Sequence, residues 1–271
     1  MPTLYVVATP IGNLEDMTFR AVRILKEVSL IASEDTRTTR HLLSHFGIKT
    51  PLTSYFEHNK KSKLDYLLSK LEEGDVALVS EAGMPAISDP GYELVVAAQA
   101  RGIRVVPIPG ASAFISALAV SGLPTDACHY LGYLPRKASE RRRLLQSAAS
   151  ERVTLAAYEA PHRLNEALHD ILSVLGNRRL AVCRELTKLH EEIFRGTVEE
   201  AVEHFVEPRG ELTLIIEGYV EKLGRTDSSE ASARLKQLHR SGATAKEAIA
   251  QVASETGISR RRLYREWLKL R

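Results

Sequence analysis

Three apolar runs, Leu4–Ala8, Val76–Val79 and Val105–Ile108, each pass directly into a loop rich in proline and glycine. This recurrence constrains the fold more than any other feature of the chain. The loops are Thr9-Pro10-Ile11-Gly12-Asn13, the twelve residues from Ser80 to Gly91 (Ser-Glu-Ala-Gly-Met-Pro-Ala-Ile-Ser-Asp-Pro-Gly), and Pro109-Gly110-Ala111-Ser112-Ala113. Proline fixes φ and glycine frees it, so such loops hold backbone N–H and C=O groups in one geometry and let a ligand come close. One loop of this kind is an ordinary turn between strand and helix. Three at the carboxyl ends of strands point to a small-molecule pocket at a sheet edge.

Strand-like and helix-like runs alternate through the first 120 residues. The sequence predicts strands at Leu4–Ala8, Leu30–Ser33, Val76–Ser80 and Val105–Ile108, and helices near Thr18–Glu27, Thr38–Phe46, Lys61–Glu73, Tyr92–Ala100 and Ala113–Val120. That alternation implies a mainly parallel sheet with helices on both faces. Gly122-Leu123-Pro124-Thr125-Asp126 breaks it. Beyond lie expected strands at Cys128–Leu134, Val153–Tyr158, Arg179–Leu186 and Glu211–Glu217, with helices near Ser139–Ala149, Leu164–Leu175 and Val198–Phe205. The expected organisation is an N-terminal α/β domain over 1–121, a second α/β domain over 122–221, a polar linker over 222–232, and a basic helical segment over 233–271.

That last segment carries most of the charge imbalance. The chain is +3 overall, but ten Lys and Arg against three Glu leave +7 in residues 233–271 and −4 in the rest. A helix over Thr244–Ala253, a turn at Gly257 and a second helix over Ser259–Leu270 have helix-turn-helix spacing, with Arg260, Arg261, Arg262 and Tyr264 opening the second helix. A polyanionic partner and a plain helical hairpin with a solvated basic face both fit this pattern.

Several chemistries are excluded. The two cysteines, Cys128 and Cys183, sit in apolar runs and are too few for a disulfide framework, which implies buried thiols and a reducing cytoplasm. No apolar stretch is long enough to span a membrane, and no secretory leader pattern opens the chain. The chain carries no Walker A run, no Gly-x-Gly-x-x-Gly after its first strand and no Cys/His spacing suited to zinc, so neither a phosphate-cradling nucleotide site nor a metal is expected.

Seven segments together resemble the tetrapyrrole (corrin/porphyrin) methylase superfamily, in its branch that methylates rRNA. They are Thr-Pro-Ile-Gly-Asn-Leu (9–14), Glu-Asp-Thr-Arg-Thr-Thr (34–39), the Ser80–Gly91 loop, Pro-Gly-Ala-Ser-Ala (109–113), Tyr-Leu-Gly-Tyr-Leu-Pro-Arg-Lys (130–137), Glu-Ala-Pro-His-Arg (159–163) and Arg-Glu-Leu-Thr-Lys (184–188). Glu81 and Ala160 stand where Asp and Ser are expected in many relatives; both changes are conservative. The resemblance runs from about Met1 to Gly218. It implies two α/β domains with S-adenosylmethionine in the cleft between them, a homodimer, and methylation of a ribose 2′-OH of a cytidine in the decoding region of 16S rRNA, free or in the small ribosomal subunit.

S-adenosylmethionine has no phosphate and asks for backbone hydrogen bonds, groups for its methionine end and an apolar surface by the sulfonium. By resemblance the cofactor is expected against Pro10 and Gly12, against Ser80, Glu81, Gly83, Met84, Pro85, Ile87 and Ser88, and against Ser112 and Ala113, with Tyr158, Glu159 and Ala160 closing it from the second domain. Methyl transfer depends mainly on alignment, which supplies roughly 7–11 kcal/mol of a barrier. A base helps a weak hydroxyl nucleophile but is not obligatory. Glu34, Asp35, Glu81 and Glu185 are candidate bases, and Lys188 or Arg37 is suited to lower the acceptor's pKa or hold a phosphate. The assigned catalytic set is Glu81, Asp35 and Lys188.

RNA contacts are expected from Thr18, Arg20, Arg37, His58, Asn59, Arg136, Lys137, Arg163 and Lys188, joined at the C-terminal end by Arg260, Arg261 and Arg262, with strong salt dependence. Tyr55, Phe56 and Tyr133 are candidates to stack on a splayed base, with core packing the alternative for Phe56. Two other functions fit parts of the chain: methylation of a tetrapyrrole or other small molecule, and a helix-turn-helix nucleic-acid-binding regulator whose α/β body only senses a ligand.

Overall fold

The computed structural model describes residues 2–220, 228–256 and 258–270. Residues 2–219 form one compact unit, and the C-terminal helices form a second.

In the first unit five strands, β1 (Thr3–Val7), β2 (Leu30–Ser33), β3 (Leu52–Ser54), β4 (Val76–Val79) and β5 (Arg104–Ile108), make an all-parallel sheet in the order β3-β2-β4-β1-β5. Every residue of β2 and β4 is buried, which is why these central strands read as unbroken apolar runs. Helices α1 (Phe19–Glu27) and α2 (Thr36–His45) cover one face, packing Ala21, Ile24, Leu25 and Leu43 on Val7, Ile31, Ala77 and Val79. Helices α3 (Lys60–Glu73) and α4 (Tyr92–Ala100) cover the other through Leu67, Leu68, Leu71, Leu94 and Ala98. The chain leaves β1 toward β2 and leaves β4 toward β5, so the strand order reverses between β1 and β4. Crevices for ligands form at such a reversal, beyond the strands' carboxyl ends.

A second sheet is mixed, in the order β6-β7-β10-β8-β9, from β6 (Cys128–Tyr133), β7 (Thr154–Glu159), β8 (Arg179–Arg184), β9 (Glu192–Thr197) and β10 (Leu212–Ile216). Only β6 and β7 pair in parallel. One face is covered by α6 (Ala138–Ser147), α7 (Leu164–Leu175) and α8 (Val198–His204). The opposite face takes α5 (Ala113–Val120), the helix that follows β5. Ala117 of α5 meets Ala156, Ala181 and Ile215 of the second sheet, and Ile11 from the loop after β1 joins the same cluster. Small side chains on both partners let the helix lie close to the sheet.

Polar groups fix the edges of this arrangement. Arg141, 1% exposed, bonds Asp170 through Nε at 2.7 Å and donates to the carbonyls of Pro135 and Arg136. That anchors the turn between β6 and α6. Thr18, Asp35 and Ser112 cap α1, α2 and α5 through side-chain oxygens, satisfying otherwise orphaned N–H groups.

The second unit has three helices, α9 (Ser228–Arg240), α10 (Ala245–Thr256) and α11 (Arg260–Leu268). They enclose Leu235, Ala248, Val252, Leu263 and Trp267. The sequence predicts two helices here and a linker over 222–232, whereas Ser228–Ser232 open α9; the rest of the expected linker, 222–227, and the expected turn at Gly257 lie outside the described residues. Strands β3 and β9 were also not expected. The structure further ends the run Arg179–Leu186 at Arg184, where a left-handed residue, Glu185 at φ 51°, stops the strand.

Breaking the Arg141–Asp170 pair is expected to leave an uncompensated buried charge. Asp170→Ala should destabilise the protein by about 3–5 kcal/mol in urea unfolding, while Arg142→Ala, which removes an exposed partner of the same carboxylate, should cost less than about 1 kcal/mol.

Candidate functional site

The loops after β1 and β4 are joined by backbone pairing. Thr9 N–H donates to the Gly83 carbonyl at 2.9 Å and Gly83 N–H returns to Thr9 at 3.0 Å. Gly83 sits at φ 74°, a conformation that glycine adopts without a Cβ clash. Ser80 is buried and donates toward the carbonyls of Ala82 and Gly83. Further along the same loop Ala86 and Ser88, neither a glycine, have φ of 67° and 65°. Such residues are uncommon in the left-handed region and carry roughly 1–2 kcal/mol of strain each, a pattern that concentrates at functional sites.

These loops form one wall of a cleft of about 460 Å³, within the usual range of roughly 300–1,000 Å³ for small-molecule sites. The opposite wall is the second sheet. Tyr158 and Glu159 end β7, Ala160 and Pro161 follow them, and Cys183, Gly210, Leu212 and Thr213 come from the β8 and β10 side. An aromatic group stands between the walls: Tyr130 stacks on Phe114 at 4.9 Å between centroids, and Tyr158 meets the edge of Tyr130 at 5.5 Å. The Tyr158 hydroxyl accepts from Phe114 N–H at 3.2 Å, and the Tyr130 hydroxyl lies 2.6 Å from Ser88 Oγ.

A second junction closes the base of the cleft. Between β8 and β9, Glu185 and Thr187 are both left-handed. Lys188 Nζ donates to Glu185 Oε1 and Glu211 Oε2, each at 2.9 Å, and Glu211 N–H donates to Glu185 Oε1. The loop after β1 rests on this knot: Asn13 N–H donates to Thr187 Oγ1 at 3.1 Å, and a Cβ on Gly12 would lie 2.4 Å from Lys188 Cγ. Glycine is required there by approach rather than by φ.

The cleft is acidic. Glu34, Glu81 and Asp89 line it. Burial, reinforced by the negative charges of Glu34 and Glu81 and opposed by a hydrogen bond from Ser80, pushes Asp89 up to about 7. Burial also raises Glu34, against the Glu81 N–H that its carboxylate accepts at 3.4 Å. Glu159 is raised by burial despite the Ala160 N–H and Arg163; its Oε1 takes both, while Oε2 is buried with no hydrogen-bond partner. Burial raises Tyr158 and Tyr133 as well.

Ten of the fourteen residues expected at the cofactor, Glu81, Gly83, Met84, Ile87, Ser88, Ser112, Ala113, Tyr158, Glu159 and Ala160, line this cleft. Pro10, Gly12, Ser80 and Pro85 are not among the lining residues. Pro10, Ser80 and Pro85 are buried, and Gly12 backs onto Lys188. Of the assigned catalytic set Glu81 lines the cleft; Asp35 does not, its carboxylate capping α2 and pairing with Arg37 at 3.1 Å. Lys188 is held by two carboxylates whose hydrogen bonds outweigh burial and raise its pKa. Residues the sequence did not assign to the cleft, such as Ile11, Leu186, Gly210, Leu212 and Thr213, come largely from the second sheet and the knot below it. Gly210, in the turn Pro208-Arg209-Gly210, was the available signal.

Among the expected RNA contacts, Arg20, Arg37, His58, Arg136 and Lys137 are exposed. Four others have internal partners: Thr18 caps α1, Asn59 bonds Phe56 N–H and Ser54, Arg163 pairs with Glu159 and the Leu134 carbonyl, and Lys188 is held by Glu185 and Glu211. Tyr55 is fully buried in the first sheet's core, so it cannot stack on a base, whereas Phe56 is partly exposed and Tyr133 is 57% exposed at the cleft.

A parallel sheet facing a mixed one across an acidic, aromatic cleft at the strand reversal defines an α/β enzyme of the methylase type. The tetrapyrrole (corrin/porphyrin) methylase family model matches residues 3–202, and the chain belongs to that family. It is 52% identical over 269 residues to ribosomal RNA small subunit methyltransferase I of Halalkalibacterium halodurans, covering 97% of this chain and 93% of that one. It is 50% identical to the protein of the same name from Synechocystis, over 100% and 99% of the two chains. A third, from Thermotoga maritima, is 49% identical over 221 residues, 80% of this chain but 99% of the relative. Among solved structures, cobalt precorrin-4 methyltransferase superposes with a TM-score of 0.59 at 17% identity over 79% of this chain and 94% of that chain. Uroporphyrin-III-C-methyltransferase from Thermus thermophilus gives 0.57 at 19% identity, over the same shares of the two chains. These two show a shared fold.

The Asp89 carboxyl binds its proton more tightly in the folded protein than its ordinary 3.8. Its contribution to stability is therefore full at low pH and declines as pH rises from about 4 through 7. Asp89→Asn, neutral throughout, is expected to melt a few degrees above the parent protein at pH 8 and level with it near pH 4 in thermal scans.

Proposed function

We propose that the chain transfers a methyl group from S-adenosylmethionine to the ribose 2′-OH of a cytidine in the decoding region of 16S rRNA. The observation that carries this is the cleft, which suits a cationic donor without phosphates and stands in a chain half identical to rRNA methyltransferases along nearly its whole length. Three carboxylates complement positive charge, Ile11, Met84, Ile87 and Leu186 supply an apolar lining, and the unpartnered Glu159 Oε2 offers a hydrogen-bond site. When bound, S-adenosylmethionine supplies an activated methyl on a sulfonium.

The chain's own residues hold the loops and handle the proton. The Thr9–Gly83 pairing and the Lys188 knot fix the position of the cleft's walls, which is the alignment that displacement at carbon requires. Asp89, which lines the cleft and whose carboxyl burial pushes up to about 7, takes the 2′-OH proton in this reading, because a base is most effective with a pKa near the working pH. Glu81 is the second carboxylate of that edge. Arg20, Arg37, His58, Arg136 and Lys137 are offered to RNA phosphates, and Tyr133 to the splayed base. The same reading includes a homodimer in the cytoplasm. Among the described residues no helix is long and apolar enough to cross a membrane.

Purified protein with labelled S-adenosylmethionine and small subunits from a strain lacking the methylation is expected to place one ribose methyl on a decoding-region cytidine. Label in a porphyrin precursor instead would favour the small-molecule reading. Asp89→Asn should lower kcat by about 10²- to 10⁴-fold and remove the rise in rate through pH 7, with cofactor still binding in calorimetry.

A further inference from the structure

The three-helix unit presents one strongly basic face. On α11 Leu263 and Trp267, four residues apart, are buried against α9 and α10, which leaves Arg260, Arg261, Arg262 and Arg265 exposed together with Tyr264, 51% exposed. Among the described residues none of these four arginine side chains makes a hydrogen bond or ion pair, whereas the side chains of Arg141, Arg163, Arg178 and Arg184 in the first unit are all engaged. The +7 of residues 233–271 is thus largely uncompensated at its surface. The Thermotoga relative corresponds over 99% of its length to only 80% of this chain, and the methylase match ends at residue 202. A protein of that name therefore exists at about the size of the first unit alone.

We propose that this unit is an RNA-docking module that contributes affinity for the substrate and no group to the chemistry. The proposal rests on the rRNA reading above. Arginine forks suit phosphate oxygens bidentately, and an exposed tyrosine beside them suits an unpaired base. Because unstacked bases are open to an aromatic ring only where RNA is not paired, an exposed tyrosine among arginines suits single-stranded or looped RNA better than a regular stem.

The test uses the full chain carrying Arg260→Ala, Arg261→Ala and Arg262→Ala together, three exposed changes outside the core, with circular dichroism confirming the fold. Methylation of small subunits is followed against salt. The KM for RNA is expected to rise about 10- to 100-fold near physiological salt, and the dependence of log affinity on log salt to weaken by about 2–3, the loss of three phosphate contacts. At saturating RNA kcat should be unchanged, as should S-adenosylmethionine affinity, and the triple Lys variant should recover most of the KM. An unchanged KM and salt slope would overturn the proposal. So would loss of duplex DNA binding with RNA affinity intact. If the parent protein methylates no rRNA, the functional reading fails; gel shifts of both proteins on the same rRNA still decide docking, equal binding overturning it and weaker binding by the variant supporting it.

Discussion

The site depends on two loops of the parallel sheet being held against the second sheet by contacts that leave little freedom. Beyond the parallel β1–β4 ladder an isolated antiparallel bridge pairs Thr9 with Gly83, and Ile11 enters the apolar cluster of Ala117, Ala156, Ala181 and Ile215. Gly12 then lies on Lys188, which Glu185 and Glu211 grip. Because each link is a backbone hydrogen bond, a buried apolar contact or a charge-assisted bond, the walls of the cleft are set before any ligand arrives. Preorganisation of that kind lowers the entropy lost on binding.

Electrostatics follow from this scaffold. Closing the walls takes Glu34, Asp89 and Glu159 partly or wholly out of water, and desolvation then raises all three. Only Glu159 is answered by a neighbouring guanidinium, that of Arg163. Uncompensated carboxylates at the other wall make the cleft a place that lowers its energy by accepting a cation or keeping a proton. Left-handed Ala86 and Ser88 in the same loop show that local backbone strain is maintained there by surrounding structure.

Much of this was legible in the residues. The Pro/Gly loops located the cleft because their φ demands are local, and Ser80–Gly91 supplies much of one wall. The family resemblance brought Tyr158–Ala160 to the opposite wall. What escaped depends on distant partners. Strand β3 is three residues long behind Pro51 and exists only as the edge neighbour of β2. Strand β9 is the outer partner of β8 and mixes charged with apolar residues. Helix α9 has few apolar positions, Ala231, Leu235 and Leu238, and gains meaning only with α10 and α11 beside it. Asp35 and Lys188 attracted a catalytic assignment by residue type, but a carboxylate before a helix is as much a cap, and a lysine between two glutamates is as much a strut. Tyr55 looked like a stacking residue because nothing local revealed that it sits under α3.

Amide hydrogen exchange with and without S-adenosylmethionine tests most directly whether these loops together hold a methyl donor. Protection is expected at residues 9–13, 80–89, 110–114 and 158–161, with little change in α9 to α11. Binding without protection of these segments, or protection centred on the helical unit, would contradict it.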